Sequence, residues 1–144
     1  MSFEIVGQKL GNLVAAADLS AKQYFGVKVD SAGKIALIAA AGELAIGILQ
    51  NKPEAAQAAE VMVSGVSKGV ASGAIAAGAK VAFDSAGKLK AAVLGKVDTS
   101  DAGAAADPLI GSHVIGILLE AAGADGDIVA VQMLHLGLVP TTSA

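Results

Sequence analysis

The stretch Tyr24-Phe-Gly-Val-Lys-Val-Asp-Ser-Ala-Gly-Lys-Ile-Ala-Leu-Ile-Ala39 decides how this chain folds. Tyr24–Val29 and Lys34–Ala39 alternate in residue type and are rich in Val and Ile, the pattern of half-buried strands. Between them stands Asp30-Ser31-Ala32-Gly33. Asp at the first position of a type I turn bonds its own backbone, and Gly33 can take the left-handed conformation that closes a bulged hairpin loop. The stretch therefore reads as a β-hairpin.

Moving outward, the same device returns. D-S-A-G-K recurs at Asp84–Lys88, flanked by Lys80–Phe83 and Lys88–Val93. Each copy is followed by I-G-I-L, at Ile46–Leu49 and Ile115–Leu118, and then by a longer β-like run, Val61–Val70 and Ile128–Val139. Two motifs repeated in one order indicate a duplicated supersecondary unit, with halves at about 24–70 and 78–139. The second copy carries an Ala-, Gly- and Asp-rich insertion at 95–112. Gly47, Gly65 and Gly116 fall inside strand patterns and mark bulges or close backbone approach. Residues 17–140 read as a single β-rich domain, 1–16 as an N-terminal arm and 141–144 as a C-terminal tail.

Helix signals are few. Pro53–Ala59 and Asp18–Gln23 each suit one short helical turn, and no segment sustains a 3.6-residue apolar stripe. The expected fold is mostly β: a small β-barrel or β-tulip-like domain with a duplicated hairpin unit and few short helical turns.

Composition narrows the function. The chain has 144 residues, 54% hydrophobic but only 3% aromatic, with 32 Ala and 18 Gly. Its apolar surface is spread over small and β-branched side chains, so the chain must either pack small residues tightly or bury extra surface against copies of itself or a partner. The net charge is −3 and the positive residues are scattered, which argues against nucleic acid as a partner. There is no Cys, which removes disulfides and thiolate metal sites. Met1–Val14 lacks the basic and apolar regions of a signal peptide. The longest apolar run, Ile35–Ala41, is far short of the ~20 residues of a membrane helix, so no membrane association is expected.

G-K at Lys34 and Lys88 lacks the leading Gly and following Ser or Thr of a phosphate loop. Ser31-Ala-Gly-Lys34 and Ser85-Ala-Gly-Lys88 match the S-x-x-K of acyl-enzyme formers, but stand in turns and lack the S-D-N and K-T-G companions. His113 and His135 show no metal-ligand spacing. Asp125 and Asp127 lack the further oxygen ligands of a calcium loop, while Asp98, Asp101 and Asp107 read as a solvated loop. Tyr24 is the only Tyr and there is no Trp, a poor platform for sugars or bases. No catalytic, cofactor-binding or metal-binding residue is assigned, no cofactor is expected, and the chain is not expected to be an enzyme. Lys34 and Lys88 at hairpin tips keep a carrier domain as an alternative, and a host-surface adhesin module is another.

Several segments together resemble the tailed-phage capsid cement (head decoration) proteins: Ser20–Lys34, Ala45–Pro53, Val63–Lys68, Ala77–Val81, Ile115–Ala122 and Gly126–Val129. The resemblance runs from about Asp18 to Val131. It implies a homotrimer on the outer surface of an icosahedral head, bridging neighbouring major capsid proteins, with the virion as its location and no catalytic residues. Apolar residues on both faces of Ile128–Val139 suit such an oligomer.

Overall fold

The computed structural model describes residues 2–5, 7–95 and 111–139. Its regular structure is ten β-strands: β1 Lys9–Val14, β2 Gly26–Val29, β3 Ile35–Leu37, β4 Gly47–Leu49, β5 Ala58–Met62, β6 Gly65–Ser72, β7 Lys80–Phe83, β8 Leu89–Ala91, β9 His113–Leu118 and β10 Asp125–Leu138. The protein is a mostly β small domain, as the alternating patterns indicate. No helix occurs among the described residues.

Both expected hairpins form, and they are the same object twice. Val27, Lys28 and Val29 pair with Leu37, Ala36 and Ile35; Val81, Ala82 and Phe83 pair with Ala91, Lys90 and Leu89. Asp30 Oδ1 accepts from the N–H groups of Ala32 and Lys34, each at 2.9 Å. Asp84 Oδ1 does the same for Ala86 and Lys88, at 2.8 and 2.9 Å. Gly33 and Gly87 close the loops at φ 75° and 81°, the left-handed region where a Cβ is costly.

The duplication extends past the hairpins. The first sheet has strand order β1-β5-β4-β2-β3, and the second closes into a barrel in the order β10-β6-β8-β7-β9. Read from β6, the second order is β6-β10-β9-β7-β8, so strands β1 to β5 correspond in turn to β6 to β10. The register agrees. Gly26↔Ile48 and Val27↔Gly47 become Lys80↔Ile117 and Val81↔Gly116. Ile48↔Met62 and Leu49↔Val61 become Ile117↔Gln132 and Leu118↔Val131. The second sheet is closed by the parallel pair Ala71↔Leu89, and the first has the matching parallel bridge Ala15↔Ile35.

The cores repeat as well. One cluster fills the first half: Val27, Ile35, Leu49 and Val61 on strands, with Ala15, Leu19 and Ala59. Their counterparts, Val81, Leu89, Leu118, Val131, Ala71, Ile75 and Val129, all lie in the other cluster. That second cluster is larger because it also takes Ile38, Ala45 and Ile48 from the first half. Mainly aliphatic side chains thus fill each half, and the joint between halves adds burial in a chain poor in aromatics. Phe83, fully buried, sits in that joint against Gly26, where a Cβ would stand 2.5–2.6 Å from its ring. Backbone bonds stitch it: Gly26 N–H to Gly87 O at 2.7 Å, Gly42 N–H to Phe83 O at 2.8 Å, and Val70 N–H to Tyr24 O at 3.1 Å.

Two expectations are corrected. The segment 1–16 is not an arm reaching outside the molecule. It carries β1, which pairs antiparallel with β5 of the same chain, and Ile5, which pairs with Val66. Without β1 the outer edge of β5 would present unpaired N–H and C=O groups. The repeat accordingly starts at β1 and β6 rather than at 24 and 78. The short helical turns at Pro53–Ala59 and Asp18–Gln23 are also absent. Ala56 and Tyr24 adopt φ 64° and 68°, which breaks a right-handed helix, and Ala58 and Ala59 already belong to β5. Beside the insertion, Ser112 N–H is bonded to Val93 O and Gly95 N–H to Val139 O. Asp98, Asp101 and Asp107, with the 141–144 tail, lie outside the described residues.

Candidate interaction surface

β10 is the longest strand, and its partners do not cover all of it. β6 pairs with it from Asp125 as far as Met133, opposite Gly65. Beyond that point β10 overhangs β6; its ladder partner there is β9, through Gly137↔Val114 and Leu138↔His113, and Gly95 N–H bonds to Val139 O. The register shifts between Met133 and Gly137, and His135 and Gly137 are left-handed at φ 46° and 69°. This is a bulge, which re-aims a strand end. His135 Nε2 lies 2.7 Å from Val63 O and fixes the bulge to the link between β5 and β6.

The overhang is apolar and, among the described residues, partly exposed. Leu134, Leu136 and Leu138 are 41%, 44% and 46% exposed. Leu44, also exposed, joins His135 and Gly137 around a small cavity of about 70 Å³ that His113 lines as well. On the far side of β6, Ile5 is hydrogen-bonded to Val66, whose other neighbour is Gln132 of β10. Exposed Phe3 and Ile5 thus lie one strand away from the base of the overhang. No Asp, Glu, Lys or Arg occurs after Asp127, so the overhang carries no carboxylate, ammonium or guanidinium side chain. Grouped, uncharged, exposed apolar side chains at a strand end make this the candidate interaction surface among the described residues.

The other polar residues of the sequence divide between structural bonds and open exposure. Ser31 and Ser85 are exposed in their turns. Lys88 Nζ is 2.7 Å from Asp125 Oδ1, whereas Lys34 is exposed at its hairpin tip. Asp127 Oδ2 accepts from the N–H groups of Gly123 and Ala124 at 2.8 and 2.9 Å. Tyr24 is half-buried with Lys68 Nζ 5.7 Å from its ring centroid, so it is no open stacking platform. His113 and His135 do share a cavity, a convergence the sequence did not reveal. Each spends one ring nitrogen on a backbone carbonyl, at Gly42 and Val63, and no group of three or more metal-ligating side chains occurs among the described residues. Glu43 accepts from Lys28 and from the N–H groups of Ala39 and Ala40, and the Lys28 bond first, then the Ala39 bond, hold its carboxyl below its ordinary value.

The sequence foreshadowed the surface only in part. Apolar residues on both faces of Ile128–Val139 were legible, but the overhang depends on β6 ending its pairing at Gly65, a non-local fact. In comparisons with known proteins, no family model and no curated protein matches this chain.

Proposed function

We propose that this chain is a structural decoration (cement) protein that binds the outer surface of an icosahedral phage head as a homotrimer and reinforces contacts between major capsid proteins. The observation that carries the reading is the overhanging end of β10 with Leu134, Leu136 and Leu138 exposed. Leucines available for burial, on a strand end that β6 does not pair, support a role in protein contact. The capsid as partner rests on the resemblance of the segments between Asp18 and Val131 to cement proteins. A trimer would offer three modest contacts at once, and avidity would then exceed any single affinity. The carrier reading loses ground, because one of its two lysines, Lys88, is held by Asp125.

The test is reconstitution. Purified protein is mixed with expanded capsids lacking decoration, and occupancy and capsid melting temperature are measured. Saturable decoration and a raised capsid melting temperature are expected for the native chain. Both should be largely lost when Leu134, Leu136 and Leu138 are together replaced by Ser. A protein that stays monomeric at all concentrations and leaves capsids bare would overturn the reading.

A further inference from the structure

The two halves join through unlike surfaces. The first half contributes Tyr24, Gly26, Leu37 and Ile48; the second contributes Gly69, Val70, Phe83 and Gly87. By the strand correspondence, the first set has counterparts Gly78, Lys80, Ala91 and Ile117 in the second half. The second set has counterparts Leu13, Val14, Val29 and Gly33 in the first. Each end of the molecule therefore carries the unused member of a head-to-tail pair. A contact of that kind can repeat without limit and make fibres unless something stops it.

The counterparts have lost the fit. Gly26 leaves room for the Phe83 ring, but its counterpart Lys80 is exposed and charged. Phe83 fills the joint, while its counterpart Val29 is 42% exposed and has no ring to insert. Leu37 touches Gly87, where an added Cβ would stand 3.1 Å from its Cδ1; its counterpart is Ala91, and a Cβ added to Gly33, the counterpart of Gly87, would meet nothing within 4 Å. We propose that Lys80 and Val29 arrest the repetition of this joint at two halves, so that the outer faces of β7–β8 and β2–β3 stay free of a second copy. This is the capping that the terminal units of repeat proteins need to remain soluble. It does not depend on the decoration reading.

Two single variants test it, both at exposed positions. Val29→Phe supplies the ring and Lys80→Gly supplies the space. Each protein alone should keep the wild-type mass in sedimentation, because its other end is still blocked. Mixed, they should form a closed pair of one Val29→Phe chain and one Lys80→Gly chain, doubling the mass of the wild-type particle or linking two such particles. The double variant should associate end to end, its mass rising with concentration. The proposal is overturned if the mixture and the folded double variant both keep the wild-type mass distribution. It is equally overturned if Lys80→Gly alone polymerises with native Val29, for then Val29 is no part of the block.

Discussion

At the scale of single residues the repeat works as an internal control, since corresponding positions hold one backbone with two side chains. Ala56, just ahead of β5, and its counterpart Gly126, at the start of β10, are both left-handed, at φ 64° and 90°. The turns match: Glu54 N–H bonds to the Gln57 side chain as Ala124 N–H bonds to Asp127. An L-residue there costs about 1–2 kcal/mol, and glycine gives back about 0.5–1 kcal/mol through its freer unfolded state. Ala56→Gly should therefore raise stability by up to about 1 kcal/mol, and Gly126→Ala should lower it by a similar amount; urea unfolding curves check both. Gly47 and Gly116 are a different matter. An added Cβ at either would run into a backbone carbonyl, of Met62 or Gln132. Replacement of either by Ala should cost about 3 kcal/mol, since backbone cannot step aside cheaply. Glu43 gives a pH test. Its folded pKa is lowered, so its contribution is present above its unfolded value and is lost as pH falls through the folded one. Glu43→Gln should lower stability at neutral pH and leave it nearly unchanged in strong acid. The Asp18 carboxyl, lowered by bonds from the Ser20 side chain and backbone, supplies residual acid dependence of the same sign.

Among the elements, β1 and β10 carry the most consequence. Deleting residues 1–16 should not merely trim an arm. It strips β5 of its partner and removes Ala15 and Leu13, which belong to or pack on the first core. The expected result is a marked fall in the urea midpoint and a tendency to associate through the bared β5 edge. Replacing Leu134, Leu136 and Leu138 by Ser should do the reverse, sparing the melting temperature while removing partner binding. These elements also mark what sequence could carry. The hairpins were legible because Asp30, Gly33, Asp84 and Gly87 act within five residues of chain. β1 was not, because Leu10-Gly-Asn-Leu-Val gives a weak alternation and its strand identity comes from β5, nearly fifty residues on. Closure of the second half hangs on the single pair Ala71↔Leu89, which no local pattern announces. The two supposed helical turns failed for a related reason: Pro and Ala favour a helix start locally, but Ala56 is set by the entry into β5.

For the molecule as a whole, the asymmetry of the two cores sets how it should unfold. The first half has a core of its own, while the second shares its core with Ile38, Ala45 and Ile48 across the joint. The second half therefore depends more on the joint than the first does. Gly26→Lys tests this by placing at the joint the residue that its counterpart already carries. The new side chain would meet the Phe83 ring, and its charge would have no water there, so Phe83 must leave its site or the halves must part. The first half keeps Val27, Ile35, Leu49 and Val61 packed together in either event. Thermal unfolding of the native chain should be one cooperative transition. The Gly26→Lys chain should show two, with the earlier one losing amide-exchange protection in β7–β9 and the later one in β2–β5. A single transition lowered uniformly across all strands would mean that the halves share one core in energy despite having two in space.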